Sequence, residues 1–264
     1  YAGQAEGSAL SLVLSGDCVP SGRLAETFVK DIRDCYAYGE ESDEQLFYRE
    51  GTSVGYRYYL KNAVKTEYPF GFGLSYTKFD YSDFSIDKNV LTENDDGVTV
   101  RVKIKNIGDF DGKEVVQIYL NSDGENGNPI IKLIAFDKFF IKKGEEKEVT
   151  LFVPFKEFTV YDTIKKKYVL PCENVRLSVN YNAENEIASQ NIMLKPSFVA
   201  DRYTTIGELI KTKNGAEITK KYLKRAIIGC IIGDDDNYPF NVEDGHICGE
   251  KFFTRVAESL QLRQ

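Results

Sequence analysis

Between Val98 and Lys105 the side chains alternate strictly: Val98, Val100, Val102 and Ile104 are apolar, and Thr99, Arg101, Lys103 and Lys105 are polar. A strand turns successive side chains to opposite faces, so this run predicts one buried β-branched face and one wet face. The stretch Asn106 to Gly112 predicts a turn. Gly108 and Gly112 accept positive φ there, and Asn106, Asp109 and Asp111 can bond the local backbone. Val116, Ile118 and Leu120 resume the alternation, which predicts a second strand antiparallel and adjacent to the first. Two half-buried strands are not stable alone, so the flanking chain must complete a sheet.

Upstream, Gln4 to Ser15 has a wide apolar face at helical spacing and is stopped by Gly16. It begins with almost nothing before it to form a core, which predicts a domain entered partway through. A loop punctuated by Gly16, Pro20 and Gly22 follows, then a short strand at Leu24 to Phe28 and an acidic surface loop at Gly39 to Gln45. Phe47 to Tyr81 is dense in Tyr and Phe, interleaved with Gly51, Gly55, Gly71 and Gly73. Rings that bury large areas beside glycines that admit close backbone predict a seal between domains, ahead of a sugar-stacking wall.

From Lys78 onward the period is two. Strands are predicted at Leu133 to Ile141, Glu148 to Val153, Tyr168 to Leu170, Asn174 to Tyr181 and Gln190 to Leu194, with a turn at Lys142 to Glu146. Short strands at this spacing predict an antiparallel β-sandwich of fibronectin type III or immunoglobulin kind. The absence of Trp and of a paired Cys excludes an antibody-type core. Pro196 breaks the pattern, and a helical tail is expected beyond it: a capping box at Thr205–Glu208, a helix from Ala216, and another through Phe252 and Leu260.

Composition narrows the partners. The 264 residues carry a net charge of −7, and a pI near 5.1 argues against a polyanionic partner such as nucleic acid. No apolar run is long enough for a membrane span, so no membrane partner is expected. Five widely spaced cysteines without a C-x-x-C pair favour free thiols and a reducing, cytoplasmic compartment over secretion.

Chemical motifs are sparse. Asp234 to Asp236 lack the alternating ligands of a calcium loop, and His246 with Cys248 has no second pair to complete a zinc site. Solvated and structural roles are expected for both, and neither metal nor cofactor is expected. His246 is the single histidine, and no G-x-S-x-G elbow accompanies it. Gly71-Phe72-Gly73 lacks the third glycine and following helix of a nucleotide loop. A glycosidase needs two carboxyls ~5–9.5 Å apart, and 41 acidic residues give sequence spacing no way to choose them.

Four motifs in consistent order nevertheless resemble glycoside hydrolase family 3, the β-glucosidase-type enzymes. AGQAEGSALSLVLSGDCVPSGRLAETF resembles the family's G-Q-x-x-G, G-D and P-S-G-R-L-x-x-T-F stretch near the end of its α/β sandwich domain. EGTSVGYRYY and YPFGFGLSYTKF resemble its next two motifs, and KNIGDFDGKEVVQIYL with FIKKGEEKEVTLFV is similar to its fibronectin type III-like domain. Ala25, Val29 and Gln261 stand where prolines are usual. The resemblance implies an α+β multidomain fragment. Residues 1–74 would be the C-terminal part of the α/β sandwich with an aromatic linker, 75–195 the β-sandwich, and 196–264 a helical extension.

The resemblance also implies retaining hydrolysis of non-reducing terminal β-glucosides. The Asp nucleophile would lie on a (β/α)8 barrel, which is the expected partner, and a Glu acid/base in the α/β sandwich. Neither motif is matched: Ser82-Asp83-Phe84 and Ser42-Asp43-Glu44 are not the nucleophile's S-D-W. No catalytic residue is assigned, and the chain alone is expected to be inactive. Tyr56, Tyr58, Tyr59, Phe70 and Phe72 are expected nearest the β-glucoside or oligosaccharide substrate, with Tyr68 in the same loop. The alternatives are a non-catalytic carbohydrate-binding or adhesion β-sandwich, and a degenerate enzyme that has lost its barrel.

Overall fold

The computed structural model describes residues 3–35, 38, 51–122, 130–162, 166–171 and 173–196, with 217, 242–243 and 246–247. Packing divides the chain into two compact units, Tyr1–Thr159 with Leu170–Lys195, and Val160–Val169 with Pro196–Gln264. The first unit opens with helix α1 (Glu6–Leu14), strand β1 (Phe28–Val29), helix α2 (Tyr56–Lys61) and strand β2 (Thr66–Tyr68). Then come β3 (Phe79–Ile86), β4 (Val90–Leu91), β5 (Gly97–Asn106), β6 (Gly112–Ser122), β7 (Ile130–Ile141) and β8 (Glu146–Pro154). The second unit contributes β9 (Val160–Asp162) and β10 (Lys167–Val169), after which β11 (Glu173–Asn180) and β12 (Glu186–Leu194) return to the first.

Helix α1 ends where expected, with Gly16 at φ +85 donating its N–H to the Val13 carbonyl. It buries none of its residues, and Leu10 and Leu14 stay exposed. The predicted strand at Leu24 to Phe28 begins only at Phe28, where β1 pairs antiparallel with β2. Leu24 instead exchanges backbone hydrogen bonds with the Gly71–Phe72 turn.

The sandwich packs a three-stranded sheet, β3-β5-β8, against a five-stranded sheet, β4-β12-β11-β6-β7. Its core is the predicted alternation made real. Val98, Val100, Val102 and Ile104 of β5 are fully buried against Val116, Ile118, Val175, Leu177, Val179, Ile192 and Leu194 of the facing sheet. Every pairing in the two sheets is antiparallel except that of β4 with β12, which is parallel at Val90–Met193 and Leu91–Leu194. Strands β7 and β8 are the open edges on one side.

One expectation is overturned. Strands β5 and β6 are not neighbours: β5 pairs with β3 and β8, and β6 pairs with β7 and β11. The stretch read as a hairpin turn crosses between the sheets, and a buried asparagine holds the crossing. Asn106 Nδ2 donates to the Phe110 carbonyl at 2.8 Å and to the Ile141 carbonyl at 3.0 Å. Its Oδ1 accepts from Thr77 Oγ1 at 2.6 Å and from the Gly108 N–H at 3.1 Å. Strand β6 also lacks the wet face of an ordinary hairpin strand, since Val115, Gln117 and Tyr119 are buried along with Val116, Ile118 and Leu120.

In the second unit, β9 and β10 pair as an antiparallel ribbon in which Tyr161 lies opposite Tyr168 with ring centroids 5.3 Å apart. The predicted strand at Tyr168 to Leu170 is therefore part of this ribbon. In the tail, Glu217 is helical, and a strand pair absent from the periodicity, β13 (Val242–Glu243) with β14 (His246–Ile247), is antiparallel. The predicted helices of the tail, the Asp234–Asp236 turn, Cys248 and the acidic loop at 39–45 lie outside the described residues.

Replacing Asn106 by Ala would leave two carbonyls, a hydroxyl and the Gly108 N–H without their side-chain partner at the crossing. Each unsatisfied buried group costs roughly 1–3 kcal/mol, so Asn106→Ala is expected to lower unfolding stability by on the order of 3 kcal/mol. Lys105→Ala, on the wet face of the same strand, should stay within ~0.5 kcal/mol in the same urea titration.

Candidate functional site

The predicted site residues sit where the aromatic stretch lies on the outer face of β6 and β7. Tyr56, at the start of α2, stacks on Phe70 with centroids 4.4 Å apart and planes 18° apart, and meets Tyr119 of β6 edge-on at 6.3 Å. A bulge in the β6–β7 ladder, between Ile118 and Tyr119, shifts the register by one residue. Beside the bulge, the Leu133 N–H donates to Tyr56 Oη at 2.9 Å. Tyr56 thus covers apolar surface and also satisfies a backbone donor of β7.

Tyr58 and Tyr59 meet edge-to-face at 5.7 Å; Tyr59 is buried and Tyr58 half-buried. Phe72 leans on Tyr68 at 5.1 Å, and Tyr68 in turn meets Phe28. The aromatic residues therefore form three local groups: Tyr56 with Phe70, Tyr58 with Tyr59, and Phe72 with Tyr68.

Two polar networks, neither singled out by the sequence, hold this layer in place. In the first, Gln117 Nε2 donates to the Gly71 carbonyl at 3.1 Å and to the Tyr181 carbonyl at 2.9 Å, while Tyr119 Oη donates to Gln117 Oε1 at 2.9 Å. Gly71 has φ +80, and a Cβ there would stand 2.1 Å from Gln117 Oε1. The Phe70 carbonyl accepts from the Ala183 N–H, so the turn is also pinned to the loop after β11.

The second network is ionic. Glu114, 3% exposed, receives Arg23 Nη2 at 2.7 Å on one oxygen and Tyr81 Oη at 2.7 Å on the other. Arg23 Nη1 also reaches the Gly73 carbonyl at 3.4 Å, and Tyr81 packs edge-on against Tyr181 at 5.5 Å. Burial pushes the Glu114 carboxyl above its ordinary range, and this outweighs the opposing pull of the Arg23 charge and the hydrogen bonds from Tyr81, Arg23 and Val115. Tyr81 is driven well above the phenol range, first by burial and then by the Glu114 charge and hydrogen bond. Tyr119 is also pushed up, chiefly by burial. The signal for the first network was a polar residue inside an apolar run, Gln117 in VVQIYL; Glu114, next to Lys113 at the head of that run, gave none.

No pair of carboxyls of glycosidase type is assembled by these networks; Glu114 is committed to Arg23 and Tyr81. Among the described residues, no three His, Cys, Asp or Glu side chains are grouped to hold a metal ion. A separate groove of about 500 Å3 runs between the edges of β7 and β8, past Ile134, Asp137, Leu151 and Glu157, and includes none of the predicted aromatic residues.

The geometry separates two kinds of glycine. Gly144 also has positive φ, at +75, but a Cβ there meets nothing within 4 Å. Gly144→Ala should cost only the left-handed backbone strain, about 1–2 kcal/mol. Gly71→Ala adds a collision with a side chain that is bonded on both sides, and should cost on the order of 3 kcal/mol. Urea unfolding of the two variants in parallel checks the difference.

Comparison with known proteins matches two stretches of the chain. The glycosyl hydrolase family 3 C-terminal domain matches residues 1–76, and a fibronectin type III-like domain matches residues 114–183. Thermostable beta-glucosidase B of Acetivibrio thermocellus is 35% identical over 214 residues, covering 79% of this chain and 28% of that protein. Probable beta-glucosidase K of Emericella nidulans is 36% identical over 200 residues, covering 74% of this chain and 22% of that protein. The crystal structure of a family 3 beta-glucosidase from Bifidobacterium adolescentis superposes with a TM-score of 0.70 at 28% identity, over 82% of this chain and 32% of that one. Beta-glucosidase 3B of Thermotoga neapolitana, solved in complex with glucose, gives 0.65 at 30% identity, over 72% of this chain and 27% of that one. The chain thus spans less than a third of the length of these relatives. With the two domains in this order and on this fold, the chain belongs to glycoside hydrolase family 3, where it corresponds to the C-terminal region of the β-glucosidases.

Proposed function

We propose that the chain is the supporting C-terminal part of an enzyme that hydrolyses β-glucosides or short oligosaccharides from the non-reducing end. It would be divided at 1–74, 75–195 and 196–264. The observation that carries this is the seam itself: residues of the family's C-terminal domain and of its fibronectin type III-like domain share two largely buried polar networks, Arg23–Glu114 and Gly71–Gln117. Such a seam makes the two segments one brace. Retaining hydrolysis needs one carboxylate to attack the anomeric carbon and another to protonate the departing oxygen. In this proposal both are supplied from a (β/α)8 barrel and the remainder of the α/β sandwich. Leu10, Leu14, Ile32 and Leu74 are all more than half exposed, and they offer those partners an apolar face.

Within the brace, Tyr56, Tyr58, Tyr59, Phe70 and Phe72 form the side nearest substrate. Tyr59 is buried and Tyr56 and Phe70 cover each other, and the half-buried Tyr58 and Phe72 are the two rings assigned to a sugar or an aglycone in this proposal.

A chimera tests the proposal: this chain replaces the matching region of the Acetivibrio thermocellus relative, and turnover of an aryl β-glucoside is measured. The chimera should be active and the chain alone inactive. Tyr58→Ala and Phe72→Ala in the chimera should raise KM several-fold with little change in kcat. Turnover by the purified chain alone, scaling with its concentration and surviving repurification, would overturn the proposal.

A further inference from the structure

The Glu114 network has the geometry of a latch. Its carboxylate sits at the start of β6, yet its partners come from other parts of the chain: Arg23 from the loop before β1, and Tyr81 from β3 in the facing sheet. The same loop is fastened to the turn at 71–73 by Leu24 N–H to the Phe72 carbonyl at 2.8 Å and by Gly71 N–H to the Leu24 carbonyl at 2.8 Å. A Cβ on Gly73 would stand 2.4 Å from the Gly22 carbonyl, so the two loops touch backbone to backbone. No regular element spans residues 15–27. Their position on the sandwich is set by these contacts together with a long Lys138 Nζ to Ser21 Oγ bond at 3.5 Å and the approach of Val19 to Gly112.

We propose that Glu114 is a proton-linked latch that holds the Pro20–Leu24 loop and the Gly71–Gly73 turn on the sandwich, and that the latch is tighter in acid than at neutral pH.

The sign follows from burial. A carboxylate stripped of water is costly unless its partners repay the full desolvation. Around Glu114 the charged and titratable groups are Arg23 on the loop and Tyr81 on β3, with Tyr181, followed by Asp80, behind Tyr81. Its neighbour across the ladder, on β7, is Phe139, whose ring has Lys147 Nζ of β8 at 6.0 Å from its centroid. Thus one cation contacts the carboxylate directly, and Arg23 Nε is itself buried without a partner. Burial wins, and the packed state holds the Glu114 proton more tightly than the opened, hydrated state does. The latch is therefore at full strength below the hydrated pKa, and it weakens as pH rises through the packed-state value. This is the reverse of an exposed ion pair, which acid breaks.

The test needs no catalytic activity, so it stands or falls apart from the proposed function. Amide hydrogen exchange of Leu24 and Gly71 in the full chain is corrected for intrinsic rates and followed from mildly acidic to mildly alkaline pH. Expected are protection factors at both amides that fall several-fold as pH rises, and a loss of that dependence in Glu114→Gln. The isosteric amide can still accept from Arg23 and donate to Tyr81 Oη. Both amides should also open more readily than Val102 in the core. The same pH dependence in Glu114→Gln as in the wild type would overturn the proposal. So would protection that falls in acid, or protection at Leu24 and Gly71 equal to that of Val102. Tyr81→Phe keeps the charge and the packing but removes one hydrogen bond to the ionised form, and should steepen the loss of protection at high pH; no change there also counts against the latch.

Discussion

From Glu114 to Leu120 strand β6 has no wet side, and the first unit is arranged around that constraint. Its inward residues Val116, Ile118 and Leu120 meet the facing sheet, and its outward residues Val115, Gln117 and Tyr119 are buried too. Burying a large apolar side chain contributes roughly 1.5–3 kcal/mol, which accounts for the attraction of the aromatic layer to this face. Attraction of that kind is not directional. Direction comes from Gln117, which donates to the Gly71 carbonyl of the segment that covers it, and from Glu114 on the inward face, which ties the Arg23 loop to Tyr81 of β3; either would be costly if left unpaired. The apolar area draws the two segments together, and the polar groups set the register.

Family motifs acquire a mechanical meaning in this light. The arginine of P-S-G-R-L is the cation for Glu114, and the first glycine of P-F-G-x-G admits Gln117. Thr77 of L-S-Y-T reaches Asn106 at the crossing between sheets, and the tyrosine before it, Tyr76, donates to the Val13 carbonyl at the end of α1. These residues are separated widely in sequence and converge on joints. Their chemistry is that of fastening, which fits the bracing role proposed above.

Strand β5 was legible residue by residue because one face is dry and the other wet, the condition under which a period of two declares itself. Strand β6 was legible as a strand but not in its placement. A run apolar on both faces, such as EVVQIYL, says that something covers it without saying what. Its partner was chosen by proximity in the chain, whereas Asn106 and the two covered faces send it to the other sheet. The aromatic stretch was located as a seal, and the rings do pack onto β6 and β7. The ion pair was invisible because Arg23 and Glu114 are 91 residues apart, and one glutamate among many acidic residues carries no mark of burial. The parallel pairing of β4 with β12 was hidden for a similar reason: a two-residue strand shows no periodicity.

The twelve residues of β7 form the rim of the five-stranded sheet, and among the described residues no further strand pairs with their outer row of backbone groups. Phe136 and Phe140 stand outward along that rim, a composition that invites a stray strand to add on and start aggregation. Asp137 and Lys138 interrupt it, and the bulge at Ile118–Tyr119 bends its regular path. Charge and curvature together make the rim a poor template. A sandwich that must present an unpaired border can in this way stay unextended while its other side is sealed by rings.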